Sequence, residues 1–462
     1  MPARLGRRTF LLASSGGAAA LMLPSWLSPP SAVRAQAGEK SMIARVLIRR
    51  ADSSLDASSL VISGDGEFKV TDAKGEQIEK WSAQKQVRVG REGDAFWVQV
   101  GDGERITGLT GPLRFNGTGD GAPLRNHATS GPEPTAFRGT LEVTASVDGR
   151  VALVNVLGIE EYLYGVVTKE LPAYFGPEPL KAQAVAARTY TIARKVQNPH
   201  KAQSADICDT QHCQAFGAIN GEHALGRAAV DATRGVVMSS GGAPFTPYYS
   251  SACGGHTESA GTIFGSLDTS GDDAVGDGEL PGGTKLSTDD GALKFFKNGW
   301  ASNCTGSNKY RWSYAWDAEQ LKSVVSAGLS RFQGTQTVSS SAPDARVEHL
   351  ETVTVPERGA SGRALSIRFE APGVSWTVKR DWGIRNFLRT PEGDLLPSSA
   401  VAMEIERGPD KKLTKLTAYG AGWGHGAGMC QWGTKGLAAR GLAFDAILAH
   451  YYPSTELGQT TA

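Results

Sequence analysis

Along residues 42 to 157 apolar positions come in short runs, at Val46-Leu47-Ile48, Phe68-Lys69-Val70, Phe96-Trp97-Val98-Gln99-Val100 and Leu141-Glu142-Val143-Thr144-Ala145, with Gly and Asp turns between them. Such runs predict short strands, so this part of the chain reads as a β scaffold. The Gly/Asn/Pro-rich stretch from Asn116 to Pro134 is the candidate boundary inside it. The period changes at Pro177-Glu178-Pro179, where Leu180, Ala184, Ala187 and Thr191 recur on one helical face with Val185 and Ile192 beside them; a helix is predicted to about Lys195. Its many alanines allow close backbone packing. Gly265 to Gly291 reads as a long surface loop or insertion. Beyond it, Leu350 to Val355, Ala364 to Glu370, Val401 to Glu406 and Leu413 to Tyr419 alternate as strands do, and two short helices are predicted near Met429 to Ala439 and Phe444 to Tyr451.

The last of those strands feeds a run in which every second residue from Gly420 to Gly428 is glycine, interleaved with Trp423 and His425. In an extended chain it would present one bare backbone face, which reads as a surface for close approach of a ligand. It precedes a helix but lacks the βαβ unit and downstream acid of a dinucleotide site.

Composition narrows the partner. The 462 residues are 40% hydrophobic, enough for two or three domains, and the 57 glycines and 22 prolines favour a β-rich fold. A net charge of +1 with interspersed signs gives no basic stripe for a nucleic acid or an anionic membrane. Gly6-Arg7-Arg8-Thr9-Phe10-Leu11-Leu12, an Ala/Leu/Gly stretch broken by Pro24, and Ala35-Gln36-Ala37 read together as a twin-arginine export signal over residues 1–37. The processed protein is expected to begin near Gly38, to keep no membrane span, and to work in the periplasm or outside the cell.

Two further constellations carry chemistry. Glu170 sits in Gly165-Val166-Val167-Thr168-Lys169-Glu170-Leu171-Pro172, read as an apolar strand breaking at a proline, with Tyr174 and Phe175 nearby. Desolvation there would raise its pKa and suit it to general acid and base work; the plain alternative is a solvated loop glutamate. The second is Cys208-Asp209-Thr210-Gln211-His212-Cys213 with His200 upstream. Two thiolates and two imidazoles are a zinc donor set, and a Cys208–Cys213 disulfide is the competing reading. Cys253, Cys304 and Cys430 bring the cysteines to five, an odd count that leaves a thiol over or gives the cysteines mixed fates.

Glu161 to Pro172, Ala182 to Tyr190, Cys208 to Gln214, Tyr248 to Glu258 and Gly422 to Gly433, in that order, resemble the stage II sporulation protein D family, which includes the amidase enhancers. Arg358 to Arg363, Leu396 to Ser399 and Ile447 to Pro453 extend the match. The resemblance implies an α+β fold, a mainly antiparallel β framework with a few helices flanking an active-site groove. Together with the strand pattern and the Asn116 to Pro134 boundary, it gives an expected β-rich domain over 38–130, a catalytic domain over 131–455 and a tail over 456–462. It also implies a lytic transglycosylase that cuts the β-1,4 bond after N-acetylmuramic acid in peptidoglycan glycan strands and leaves a 1,6-anhydro end, with peptide-stripped glycan preferred in the sporulation members.

In the family's Gly-Val-Val-x-x-Glu-[Met/Leu]-Pro motif the catalytic glutamate falls on Glu170, with Leu171 replacing the more usual methionine. The resemblance makes Trp423, His425, Gln431 and Trp432 glycan-binding candidates, with Arg188 and Tyr190 on the helix after Glu170 joining them. Some members carry a structural zinc, for which Cys208, His212 and Cys213 would be ligands and His200 the fourth. Glu161 is the one nearby second carboxylate and is expected to be structural. The rival readings are a non-catalytic glycan-binding enhancer of a cell-wall amidase and a zinc-dependent hydrolase using the Cys/His cluster.

Overall fold

A computed structural model describes residues 42–48, 57–118, 121–127, 134–242, 245–265, 273–278, 284–342 and 346–460; the segment read as an export signal lies outside these. The alternating runs of the first half form two sheets. One has seven strands in the order Ile207–Cys208, Ile43–Ile48, Val151–Gly158, Thr140–Ala145, Leu113–Gly117, Phe68–Thr71, Gln77–Trp81, antiparallel except for the first pair. The other has six, from Thr135–Phe137 to Ile106–Leu109. Their inward residues, Val46, Ile62, Phe68, Val89, Phe115, Leu141 and Val154 among them, share one core. The seven-stranded sheet draws strands from both sides of residue 130, and Ser41–Ala462 forms one compact unit.

Helix α1 (Ile159–Glu170) follows the Val151–Gly158 strand without a loop. The sequence reading made Gly165 to Thr168 a strand; the structure makes it helix. Tyr162, Leu163, Val166 and Val167 recur at helical spacing and are all buried, and this tertiary burial outweighs the strand preference of the two valines. The helix ends at Leu171, whose backbone is extended as a residue before proline must be.

Helix α2 (Pro177–Gln197) matches the predicted helix, with proline in its first turn. Its alanines have a reason that the one-face reading missed. Leu180, Ala184 and Ala187 pack into the core of the first half, while Ala182, Val185 and Ala186 pack into a second core with Met429, Cys430, Ile447 and Tyr451. A helix buried on two sides needs small side chains on both. Thus α2 joins the Glu170 half to the half carrying the glycine run.

A third core, with Trp316, Phe369 and Trp376 at its centre, lies among a three-stranded sheet (Arg311–Asp317, Leu413–Ala421, Val401–Arg407) and a four-stranded sheet that includes Ala364–Ala371. The fold is α+β, as the sequence implied. Two expectations change. Within the segment read as a surface loop, Asp277 is fully buried and a helix starts at Asp289. Within the segment read as a tail, Glu456–Gln459 is a strand paired with Val236–Ser239. Among the described residues no helix is long and apolar enough to cross a membrane.

Candidate active site

Glu170 is the last residue of α1, half-buried, with Leu171 and Phe175 buried just beyond it. Its Oε1 accepts a hydrogen bond from the Ala215 amide at 2.5 Å. Burial lifts the carboxyl pKa to about 7, and the Ala215 amide pulls the other way. The end of a helix adds a second unfavourable influence on a carboxylate, because the negative pole of the backbone dipoles lies there. The group is therefore an acid that titrates near neutrality.

Its surroundings come from the segment after the cysteine cluster. Gln214 accepts hydrogen bonds from Tyr162 Oη (3.1 Å) and Thr191 Oγ1 (2.9 Å), and its Nε2 donates to Tyr249 Oη (2.8 Å) and the Ala187 carbonyl (3.3 Å). One buried amide thus ties α1, α2 and the Tyr249–Ser250 strand together directly behind Ala215. Burial raises the Tyr162 and Tyr249 phenol pKa values well above the ordinary range, and the Glu170 charge contributes to both. Gln214, the last residue of the Cys208 to Gln214 segment, and Ala215 after it were given no role by the sequence reading. Their signal was position: Gln214 ends a segment that carries the resemblance, and Ala215 adjoins it.

The cluster itself is compact. His200 Nε2 lies 3.4 Å from Cys213 Sγ, His212 Nδ1 lies 3.4 Å from Cys213 Sγ and 3.7 Å from Cys208 Sγ, and the four donor atoms all fall within 4.8 Å of one another. The adjacency of His212 and Cys213 is accommodated by a turn in which the Cys213 amide donates to the Thr210 carbonyl. Both cysteines are thiols, and Cys208 is drawn toward thiolate by its hydrogen bond with Cys213, with Thr210 and His212 adding donors. Tetrahedral zinc with two sulfur and two nitrogen ligands has edges of about 3.3 to 3.8 Å, so the donor set fits one such ion.

The other expected residues divide. Trp423 is 46% exposed, and Trp432 is half-buried with its ring 4.8 Å from that of Phe175, on the Glu170 side. Arg188 is 0% exposed and makes a bidentate pair with Glu160 (2.8 and 2.7 Å) plus a bond to the Val236 carbonyl, so it cannot reach a glycan. Tyr190 is buried against Tyr248 and Tyr249. Gln431 is buried, its amide donating to Gln183. His425 Nδ1 accepts from the Ala427 amide at 3.0 Å, its ring stacks edgewise on Phe264 and Tyr248, and burial pushes its pKa down to about 4. Those contacts favour the neutral imidazole, and the residue is half-buried.

The glycine run is also not the bare strand that its spacing predicts. Gly422, Gly424, Gly426 and Gly428 all take positive φ, so the chain turns at every second residue. What approaches the backbone is the protein itself. A Cβ on Gly426 would sit 2.1 Å from the Arg363 guanidinium, one on Gly420 would sit 2.1 Å from the Trp312 ring, and one on Gly428 would sit 2.0 Å from the Tyr248 carbonyl oxygen. Arg363 is fully buried in this cradle, donating to the Cys253 carbonyl at 3.0 Å. The turns leave Trp423 as the exposed large side chain of the run.

Glu161 behaves as expected: it is exposed and accepts a bond from the Gly158 amide at the start of its own helix. Glu170 follows it nine positions later in the helix, about 13 Å along the axis and half a turn out of phase, which puts the two carboxylates on opposite faces.

A family model described as Stage II sporulation protein matches residues 147–239, the span holding Glu170, Gln214, Ala215 and the Cys/His cluster, and a second model, a domain of unknown function, matches 274–428. The chain is 28% identical over 306 residues to an uncharacterized protein of Brachyspira hyodysenteriae, covering 66% of this chain and 68% of that one. It is 28% identical over 311 residues to the amidase enhancer of Bacillus subtilis, covering 64% of this chain but 40% of that longer protein. It is 24% identical over 322 residues to stage II sporulation protein D of Bacillus subtilis, covering 67% and 77%. The family model and the relatives agree in direction: the chain is similar to stage II sporulation protein D and to the amidase enhancer.

Proposed function

We propose that this protein is a lytic transglycosylase of the cell wall in which Glu170 is the only acid–base group. Its family and the amidase-enhancer relative support a cell-wall-related role. The observation that carries the finer reading is the state of Glu170: a carboxyl with a pKa of about 7, held by one backbone amide, with Glu161 too far away to act as its partner. A hydrolysing glycosidase needs a second carboxylate about 5 to 10 Å from the acid, as nucleophile or as base for water. A glycan that supplies its own nucleophile does not. In peptidoglycan the C6 hydroxyl of N-acetylmuramic acid can attack C1 of the same sugar, and an intramolecular nucleophile is worth an effective molarity of about 10⁵ M or more.

In that reaction neutral Glu170 donates its proton to the departing glycosidic oxygen and the C1–O bond breaks. The carboxylate then takes the proton of the C6 hydroxyl as the 1,6-anhydro bond closes, which returns Glu170 to its starting state. The Ala215 amide stabilises the carboxylate formed midway and keeps the side chain aimed. Trp423, Trp432 and the 66% exposed Tyr174 offer aromatic faces for sugar rings. A zinc ion held by His200, Cys208, His212 and Cys213 would serve structurally, fixing the turn that delivers Gln214 and Ala215. With residues 1–37 acting as an export signal, the protein would meet its substrate outside the cytoplasm.

The test is digestion of peptide-free glycan strands followed by mass spectrometry of the ends. Anhydro-terminated fragments that disappear with Glu170→Gln support the proposal. Hydrated reducing ends would mean a hydrolase, and binding without cleavage would favour the amidase-enhancer reading.

A further inference from the structure

Three cysteines and one aspartate remain outside the site described above, and the fold brings them together. Cys253 follows the Tyr249–Ser250 strand, Cys430 ends the parallel Met429–Cys430 strand and caps the Gln431–Ala439 helix, and Cys304 lies in the turn after Ser302. Asp277 comes from the segment that the sequence pattern assigned to a surface loop. All four are buried, and their donor atoms lie within 4.8 Å of one another. We infer that Cys253, Asp277, Cys304 and Cys430 form a second metal site, binding one tetrahedral thiophilic divalent cation of the zinc type through three sulfurs and one carboxylate oxygen.

The spacing suits one ion. At a Zn–S distance of about 2.3 Å and a Zn–O distance of about 2.1 Å, a tetrahedron has S···S edges of about 3.8 Å and S···O edges of about 3.6 Å. Cys253 and Cys304 have their sulfurs 3.7 Å apart, and Cys253 Sγ lies 3.3 Å from Asp277 Oδ2.

The surrounding donors are those that metal-bound thiolates need. The Cys253 and Gly433 amides both donate to Cys430 Sγ (3.2 and 3.3 Å), the Gly255 amide donates to Cys253 Sγ (3.4 Å), and Ser302 Oγ lies 3.3 Å from Cys304 Sγ. Gly254 and Gly255 hold positive φ to make that turn, and a side chain at Gly433 would strike Tyr451 and Asp277. Asp277 is divided in the same sense. Its Oδ1 accepts from Tyr451 Oη (2.6 Å) and Asn303 Nδ2 (3.1 Å), while Oδ2 faces Cys253 and Ser302. Such outer partners on one oxygen orient the other toward a metal.

A disulfide explains this arrangement less well. It would consume two of three thiols and leave the third beside a fully buried carboxylate, whose one ionic neighbour among the described residues is His450 at 3.6 Å. A buried carboxylate among thiols is costly without a cation, and a divalent ion removes that cost. Bound there, the ion would clamp Cys253 to Cys430, which follows the glycine run and pairs with Ser250.

The test uses the full chain carrying Cys208→Ser and Cys213→Ser, in which the other cluster cannot hold an ion, purified from zinc-supplied cells and measured by inductively coupled plasma and native mass spectrometry. One zinc per chain is expected, lost on adding Cys304→Ser or Asp277→Asn. No zinc in the starting variant, or zinc that survives both additions, overturns the inference. Should those variants not fold, the unmutated protein decides by native mass and by thiol alkylation without reductant. Two zinc ions with Cys253, Cys304 and Cys430 all as free thiols after release is the expected result. A disulfide among those three, or fewer than two ions, overturns it.

Discussion

At the start of α1, Glu160 is buried against Arg188, which grips both carboxylate oxygens from a fully buried position. At the end of the same helix, Glu170 is half-buried against a single amide. The first carboxylate has a cation and the positive end of the helix dipole; the second has neither, and sits at the negative end. Burial with compensation makes a structural ion pair. Burial without it makes an acid that holds its proton near pH 7. The same residue type on one helix thus takes two roles, decided by what the fold places opposite it.

The comparison breaks most visibly if activity does not separate the two ends. Glu170→Gln keeps shape and the acceptor for Ala215 but removes the proton, and is expected to slow glycan cleavage by about 10²- to 10⁴-fold with the far-UV circular dichroism unchanged. Arg188→Met leaves Glu160 buried without its cation and with the Gly235 amide as its remaining hydrogen-bond partner among the described residues, and is expected to lower the stability to urea by about 3 to 5 kcal/mol. A loss under 1 kcal/mol would mean that the Glu160–Arg188 pair does not hold this end of the helix.

The sign of the Glu170 effect on stability is opposite. Its folded pKa is raised, so the folded state binds the proton more tightly than the unfolded chain, and stability falls as pH rises from the ordinary carboxyl range through about 7. Glu170→Gln escapes that penalty. It should be more stable than the parent at pH 8 by on the order of 3 kcal/mol and no more stable at pH 4. Equal melting temperatures at pH 8 would contradict the burial argument. A smaller effect is expected from Gln214→Ala, which strips partners from the Tyr162, Thr191 and Tyr249 hydroxyls and should cost about 1 to 3 kcal/mol. The Glu170 titration should also shift in that variant, since Ala215 adjoins the lost side chain.

How legible this was depended on whether a residue's role is local. The Pro177 helix and the Phe444 helix were readable because the apolar period and, for the first, the proline of its opening turn lie within the segment. The Ala318–Arg331 helix carried a signal too, Asp317 bonded to the Gln320 amide and Gln320 returning the bond, but it was not used. Helix α1 was misread because its Val-Val pair favours a strand and only burial on one face reverses that. Glu170 was found through a motif, whereas Gln214 and Ala215 were not, because their value comes from contacts reaching across 23 to 52 residues. The glycine run shows the limit from the other side. Its spacing signals close approach, but spacing does not say that the approaching groups are Arg363, Trp312 and Tyr248.

The most direct test of the central claim is a paired titration. The carboxyl carbon of Glu170 is followed by ¹³C NMR in the unmutated protein with Glu170→Gln for assignment, and kcat/KM on peptide-free glycan is measured over the same pH range. The account predicts that Glu170 titrates at about 7 and that the rate falls about tenfold per pH unit above that same value. A carboxyl titrating in the ordinary range near 4, or a rate that stays level well above pH 7, would contradict it.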